Sequence, residues 1–223
     1  MKYIKLFDTT ANMNAAIANS TIGLLAMAEN NGNPVVKIKK PSPVPTPTPV
    51  GPAPNEIWYT TSSNEPLHYE YNPEYDSVYA YDDDGGHNKL ISDTYQNGKG
   101  VFVFEGNVTR INNDANLIPS GVSLNSIILP EGLLTIDSDT FNEITSEQFE
   151  VTIPSTITYI GYNAFAYLGN NGDILNIYAL TPPTIDEYGF LYDTTCTIYV
   201  PSGSVNTYKT AWPDYAEYIF AMQ

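Results

Sequence analysis

The segment IILPEGLLTIDSDTF at residues 127–141 is followed, 24 positions further on, by VTIPSTITYIGYNAF at residues 151–165. Each segment begins with a short apolar run that meets a proline, continues to an isoleucine, and finishes on a phenylalanine. Residues 101–118 and 175–192 follow the same pattern with more substitutions. Self-similarity at a fixed period is the sequence signature of a repeat architecture, so this repeat decides the fold.

Every unit contains a short apolar strand, which cannot bury both of its faces alone. Stacking successive units pairs these strands in a parallel sheet and aligns two columns of large side chains, each contributing about 1.5–3 kcal/mol on burial. The proline after the strand donates no hydrogen bond and ends the ladder. The predicted repeat core consists of Ile111, Ile136, Ile160 and Ile185 in one column, and Phe141, Phe165 and Phe190 in the other.

A final half-unit begins with the strand TIYV at residues 197–200 and continues into an amphipathic stretch, residues 204–220. This stretch is predicted to cap the last coil, because terminal repeats need a cover for their apolar face. The spacing of 24 or 25 residues falls within the range of leucine-rich repeats. The predicted fold class is therefore α/β: a short leucine-rich-repeat solenoid of parallel strands over residues 100–223, with a C-terminal cap.

The clearest boundary in the chain is the proline-rich run PSPVPTPTPVGPAP, residues 41–54. Proline fixes φ and removes a backbone donor, so this run is predicted to be extended polyproline II, reaching roughly 40 Å. It serves at least as a passive linker, and as a stiff spacer it would also hold the repeats away from a surface. Residues 55–99, rich in Tyr, Asp, Asn and Gly, are predicted to be a β segment between linker and repeats.

Residues 1–40 are predicted to be a small α+β unit that ends in a hairpin around Asn31-Gly32, a pair that tolerates positive φ. Such a unit is small for independent stability, which favours an anchor that binds either copies of itself or a larger surface. The candidate anchor residues are Ile4, Leu6, Phe7, Leu24, Val36 and Ile38.

The formal net charge of −16 is unevenly distributed. Residues 1–40 carry five lysines against two acidic residues, whereas the remainder carries four basic residues against 23 acidic ones, a balance of −19. An acidic body repels phosphate backbones and anionic membranes, so nucleic acid and membrane are excluded as expected partners. No apolar run is long enough to span a bilayer, and Asp8, Asn12 and Asn14 interrupt any secretory h-region.

The sequence offers no set of residues for catalysis, and we expect no enzymatic activity. Cys196 is the single cysteine, and the two histidines, His68 and His87, lie near no known nucleophile, phosphate-loop or metalloprotease motif. The run Asp82–Asp84 beside His87 offers oxygen ligands, but its spacing does not match a calcium loop, and a solvated acidic turn is favoured. No metal and no cofactor are predicted.

A group of tyrosines between acidic residues forms the candidate ligand face. Exposed tyrosines provide contact area for sugars or proteins at low entropic cost. The alternation of these residues is equally typical of a half-buried strand, and both interpretations stay open. The residues are Tyr69, Tyr71, Tyr79 and Tyr81.

The repeats resemble the BspA-type (treponemal) leucine-rich repeat, whose pattern is I-P-x-x-V-x-x-I-G-x-x-A-F. The segment IPSTITYIGYNAF follows it closely, whereas LPEGLLTIDSDTF has Asp137 and Thr140 where the pattern has Gly and Ala. The terminal residues are similar to the last unit common in such proteins from gut Bacteroides and their phages. Membership implies a binding or adhesive role with no catalytic residues.

The whole chain also resembles a capsid-attached head-fibre or decoration protein of a Bacteroides (crAss-like) bacteriophage. This resemblance implies a structural protein of the virion, assembled in the host cytoplasm. Residues 1–40 would bind the major capsid protein or another virion protein, and the chain would form a homo-oligomer, expected to be a trimer. The repeats would bind a host-surface glycan or protein. The alternative hypothesis is a bacterial cell-surface adhesin of the same repeat family.

Overall fold

A computed structural model of the 223-residue chain describes residues 25–30, 33–38, 51–67, 79–82, 85–112, 117–119, 123–141, 144, 148–166, 172–186, 188–189 and 196–223. The chain divides into two compact units, Met1–Pro49 and Val50–Gln223. Each unit is described by itself.

In the first unit, the described residues form an antiparallel hairpin of β1 (Leu25–Asn30) and β2 (Asn33–Ile38). Asn30 pairs with Asn33, so the chain reverses direction between them in agreement with the predicted hairpin, while residues 31 and 32 lie outside the described residues. The other predicted elements of residues 1–40 lie outside the described residues.

The second unit contains a sheet with thirteen strands among the described residues. These strands are β3 (Glu56–Thr61), β4 (Tyr79–Tyr81), β5 (His87–Gln96), β6 (Lys99–Phe104), β7 (Arg110–Ile111), β8 (Leu124–Ile128), β9 (Thr135–Ile136), β10 (Glu150–Ile153), β11 (Tyr159–Ile160), β12 (Ile174–Ile177), β13 (Thr184–Ile185), β14 (Thr197–Val200) and β15 (Ile219–Ala221). One α-helix, α1 (Val205–Ala211), and one 3₁₀ helix (Pro213–Tyr218) complete the described elements. This strand-rich architecture fits the predicted repeat-type α/β class.

The repeats contribute two strands each, and these form two separate parallel ladders. The first ladder joins β8, β10, β12, β14 and β15 side by side. The second joins β7, β9, β11 and β13. The predicted parallel pairing is therefore present in both ladders, each strand lying beside its equivalent in the next repeat.

Both ladders begin on antiparallel strands from residues 56–104. β3 pairs with β8 at the start of the first ladder, and β4 pairs with β7 at the start of the second. β5 and β6 lie between β4 and β3 and make the sheet continuous. These four strands therefore cover the first repeat and satisfy the backbone groups of both leading strands.

Two features of this region differ from the sequence analysis. Residues 101–104, aligned with the parallel strands of later repeats, belong to β6 and pair antiparallel with β3 and β5. An apolar alternation fixes which side faces the core but not the direction of the neighbouring strand, so the pattern could not reveal this. Residues 51–54 at the end of the proline-rich run pack on the second unit, where Pro52 is buried and Pro54 O accepts a hydrogen bond from Val108 N (2.8 Å).

The two predicted core columns lie inside the second unit. Ile111, Ile136 and Ile160 are fully buried, and Ile185 is partly buried against the same cluster. The rings of Phe141 and Phe165 stack with their centroids 5.1 Å apart. Phe190 lies outside the described residues.

Adjacent repeats approach closely at Gly161. A methyl group at this position would lie 2.6 Å from Ser138 N and 2.8 Å from the carbonyl carbon of Asp137, both backbone atoms of the preceding repeat. Gly161 N also donates a hydrogen bond to Ile136 O (2.8 Å), which holds the two backbones together. The glycine is therefore required by this approach.

The C-terminal cap covers the last repeat with aromatic side chains. Tyr208 on α1 is fully buried, and its hydroxyl donates to Ala179 O (2.8 Å). Trp212 is buried beside it, with ring centroids 5.0 Å apart, and its Nε1 donates to Pro183 O (3.2 Å). β15 then returns the chain to the first ladder, so the cap closes the core and extends the sheet by one strand.

We predict that Gly161→Ala lowers the free energy of unfolding by about 1–3 kcal/mol, because the added methyl group meets backbone that cannot move without disturbing the second ladder. The matched control is Gly203→Ala, since a methyl group there has no atom within 4 Å. Urea unfolding of both variants measures the difference. Equal midpoints for the two variants would contradict the close approach.

We also predict that Tyr208→Phe lowers the free energy of unfolding by about 1–3 kcal/mol, because Ala179 O loses its buried donor. Tyr162→Phe is the control, since the Tyr162 side chain is 46% exposed and water can replace its contacts. Thermal and urea unfolding of both variants test the difference. A Tyr208→Phe protein as stable as the control would show that the hydroxyl contributes nothing to the cap.

Candidate functional site

The first ladder presents a broad outer face, because its strands alternate between buried and partly exposed residues. In β10, β12 and β14 every second residue is buried, and the residues between them point away from the core. The alternation continues through β3 and β6. The face therefore runs from the antiparallel strands to the C-terminal cap without interruption.

One line of outer residues crosses this face at neighbouring positions in the strands, and we call it the central row. It contains Trp58, Ile128, Thr152, Asn176, Tyr199 and Phe220, and beyond Trp58 the same register continues to Val101 in β6 and Thr94 in β5. Five steps between adjacent strands give the row a length of about 24 Å. All six side chains are at least partly exposed, and Phe220 is 48% exposed.

The Trp58 end of the row is held by two charged residues. Trp58 Nε1 donates to Glu56 Oε2 (2.8 Å), and Lys99 Nζ lies 3.6 Å from the centroid of the Trp58 ring. The lysine contact is a cation–π interaction, and together the two contacts fix the orientation of the indole. The tryptophan therefore presents a rigid surface to the face.

β3, which carries Trp58, is fixed from its buried side. Tyr59 donates a hydrogen bond to Asp93 and accepts one from Leu67 N (3.1 Å). Burial, followed by the hydrogen bond to Asp93, raises the pKa of Tyr59 well above its usual value. The phenol therefore stays protonated and keeps its donor on Asp93 at neutral pH.

The other end of the row is aromatic as well. The rings of Tyr199 and Phe220 lie with centroids 6.4 Å apart, and Lys209 Nζ is 6.0 Å from the Phe220 ring. β14 and β15 hold the two rings side by side in register. Each end of the row thus combines an aromatic surface with one lysine.

Between these ends the face carries polar side chains, one carboxylate and two partly exposed isoleucines, Ile128 and Ile174. Asn176 Nδ2 donates to Glu150 Oε1 (2.7 Å), across adjacent strands. In the neighbouring row, the hydroxyls of Thr60 and Ser126 are hydrogen-bonded at 2.7 Å. These cross-strand pairs hold the polar side chains in fixed positions while leaving further donor and acceptor capacity.

The second ladder presents a different outer surface. The Arg110 side chain lies over the Tyr81 ring at 4.8 Å and forms an ion pair with Asp137 in the next repeat. Tyr159 donates to Asp186 Oδ2 (2.6 Å), a contact that raises the pKa of this tyrosine. These contacts link consecutive repeats, so the side chains act mainly within the fold.

The structure describes only part of the sequence-predicted ligand face and anchor. Tyr79 and Tyr81 belong to β4, and the partly exposed Tyr81 accepts a hydrogen bond from Asn112 Nδ2 (3.0 Å) beside the second ladder. Tyr69 and Tyr71 lie outside the described residues. Of the anchor residues, Val36 and Ile38 lie in β2, whereas Ile4, Leu6, Phe7 and Leu24 lie outside the described residues.

The acidic turn is closed by its own hydrogen bonds. Asp82 Oδ1 accepts a hydrogen bond from Gly86 N (2.8 Å), and Asp83 and Asp84 lie outside the described residues. No group of three or more histidine, cysteine, aspartate or glutamate side chains gathers around a metal position in the part that the structure describes. No described helix has the length and apolar character to cross a membrane.

The comparisons with known proteins identify the repeat part of the chain. Residues 109–212 match the family model described as the BspA type leucine-rich repeat region, in six copies. The matched residues run from the start of the second ladder through α1 and confirm the predicted leucine-rich repeats. Comparison with curated proteins gave no match. A leucine-rich-repeat domain indicates a role in protein binding or adhesion.

The central row was not predicted from the sequence. Asn176 and Tyr199 occupy equivalent places in their repeats, each followed by one buried residue that ends the strand. That position carries a different residue in every repeat, so it forms no column that a search for repetition would find. The alternation within each strand was the available signal, because it separates inward from outward positions.

We predict that Cys196 resists thiol reagents in the folded protein at pH 8. Burial, and secondarily Asp173, raises the pKa of this thiol to about 12, so the reactive thiolate is scarce. Reaction with a disulfide reagent should become fast when urea unfolds the chain. Since the folded pKa exceeds the unfolded one, this group also makes the free energy of unfolding fall as pH rises above about 8.5, and Cys196→Ala should lessen that fall. Rapid labelling without urea would contradict the buried position.

Proposed function

We propose that this chain is a binding protein whose leucine-rich repeats form a short solenoid that displays the central row to a partner. The observation that carries the proposal is the face itself. Its side chains are aromatic and polar, partly exposed and held in register by backbone pairing on a family of repeats associated with binding. The two ladders and the two caps supply the rigid support that a recognition surface needs.

We further propose that the protein is a structural protein of a phage virion, as a capsid-attached head fibre or decoration protein. Residues 1–40 would attach to the major capsid protein or another virion protein, and residues 50–223 would be displayed. The separation into two units, with a proline-rich run between the hairpin of the first and the sheet of the second, supports this arrangement. So does the contrast between a basic first unit and a strongly acidic second one, because the two suit different partners. A trimer would multiply weak contacts.

The second candidate function is that of a bacterial cell-surface adhesin. The match of residues 109–212 to the BspA-type repeats supports this function. An adhesin would use the same displayed face and would not need a virion. Under either proposal the partner is a glycan or protein on a cell surface. No catalytic step is part of either one.

We predict that labelled full-length protein sediments with the target cells and that Tyr199→Ala/Phe220→Ala reduces the bound fraction several-fold, because the double change removes the aromatic end of the row. Tyr162→Ala is the matched control, since Tyr162 is similarly exposed but lies outside the first ladder. Far-UV circular dichroism of each variant verifies folding. Binding that is absent, or that all variants retain equally, would contradict the proposed face.

Immunogold electron microscopy with antibodies raised against residues 50–223 distinguishes a location on the virion from a location on the bacterial cell surface. Label on capsids of purified virions supports the virion protein, and label on the envelope of uninfected bacteria supports the adhesin. Virions assembled with a chain that lacks residues 1–40 should carry no label, which would identify the attachment segment.

A further inference from the structure

The side chains of the central row favour one class of ligand over others. We propose that this face binds an uncharged polysaccharide, lying along the row and across the strands. The inference rests on the proposed binding function and deepens it by naming the ligand class.

The face is nearly neutral within a strongly acidic unit. Residues 50–223 carry four basic and 23 acidic residues. The two carboxylates described above on the face are already engaged, Glu56 with the Trp58 indole and Glu150 with the Asn176 amide. The surrounding negative field repels an anionic ligand at long range, which disfavours acidic polysaccharides. A neutral ligand avoids that repulsion.

The lysines disfavour a cationic ligand at the same place. Lys99 lies over Trp58 and Lys209 lies near Phe220, so a positive charge stands at each end of the row. A basic peptide attracted by the acidic unit would meet like charge at both aromatic ends. The two lysines therefore disfavour a cationic partner, which the negative net charge of the second unit alone would favour.

The middle of the face suits a ligand rich in hydroxyl groups. Thr152 and Asn176 in the central row, with Thr60, Ser126 and Thr197 in the neighbouring row, are neutral side chains that are partly exposed. Hydroxyl and amide groups both donate and accept hydrogen bonds, as sugar hydroxyls do. The Thr60–Ser126 pair is already oriented, so binding costs little side-chain entropy.

The aromatic rings suit the apolar faces of sugar rings. Trp58 lies at one end, and Tyr199 and Phe220 lie at the other, separated by Ile128, Thr152 and Asn176. A protein partner is anchored by apolar residues clustered at the centre of an interface, surrounded by polar ones. On this face Thr152 and Asn176 separate the apolar side chains of Trp58 and Ile128 from the ring pair of Tyr199 and Phe220, so the apolar contacts fall into two groups with polar groups between them. A polymer that repeats its apolar and polar surfaces along about 24 Å fits this order.

We predict that full-length protein is retarded in native gels containing at least one neutral polysaccharide from a panel of mannan, xylan, amylopectin and β-glucan. Alginate and polygalacturonate should cause no retardation. Because the ligand is uncharged, the retardation should persist in 0.3 M salt. Tyr199→Ala should weaken binding about 3- to 10-fold, by loss of one aromatic contact, and Asn176→Ala by a similar factor.

Tyr162→Ala is the control for surface tyrosine loss and should bind as the parent does. Thermal unfolding of each variant verifies that the loss is not one of folding. Asn176→Asp keeps the size of the side chain but replaces the amide donor with a carboxylate that faces Glu150, and it should weaken binding as Asn176→Ala does. A parent protein that no neutral polymer retards, or that only the acidic polymers retard, overturns the proposal. Equal weakening by Tyr162→Ala also overturns it.

Cell binding distinguishes failure of this inference from failure of the proposed function. If binding to cells is lost in Tyr199→Ala/Phe220→Ala but survives periodate oxidation of the cell glycans and is abolished by protease treatment of the cells, the face binds a protein. The proposed function then stands and the glycan inference falls. If cells are not bound at all, the proposed function itself fails.

Discussion

Hydrogen bonds between the backbones of successive repeats are the constraint on which the second unit depends. Asp137 N donates to Ile111 O (2.9 Å), Gly161 N to Ile136 O (2.8 Å) and Asp186 N to Ile160 O (3.0 Å). Each bond joins equivalent positions, so the isoleucine column lies in register as a consequence of backbone pairing. A repeat that was one residue longer within a strand would turn its core side chains outward. A constant repeat length is therefore more important for the core than any single side-chain contact.

The same constraint explains why the repeats need different covers at their two ends. At the start, antiparallel strands β3 and β4 satisfy the leading strands of the two ladders, and a bulge near Thr60 and Thr61 adjusts the pairing. At the other end, the ladders finish in two ways. β15 extends the first, while Trp212 Nε1 binds Pro183 O beside the second. A stack of few repeats still has two ends whose apolar surface must be covered. The elements that cover these ends therefore contribute a large share of its stability.

The parts of this structure that could be predicted are those that repeat. Ile136, Ile160, Phe141 and Phe165 recur at fixed spacing because inward positions meet the same surroundings in every repeat. The antiparallel pairing of β1 with β2 was indicated by the Asn-Gly pair in the sequence between them, which favours a hairpin. The antiparallel role of residues 101–104 could not be predicted, because inward alternation is the same in both pairing directions. The central row could not be predicted either, because outward-facing residues of different repeats share no packing environment that would require the same residue type.

That difference between inward and outward positions connects the fold to the binding role. Ile198 and Tyr199 are adjacent in β14, yet Ile198 is aligned with Leu175 and Ile219 in the core, whereas Tyr199 is aligned with Asn176 and Phe220 on the face. Backbone pairing fixes the position of both residues, so the outer residue can be substituted without disrupting the ladder. The pairing also holds the outer groups at one spacing before any ligand arrives. Binding then requires little ordering of the protein, which allows a shallow and open face to bind a partner with modest contacts.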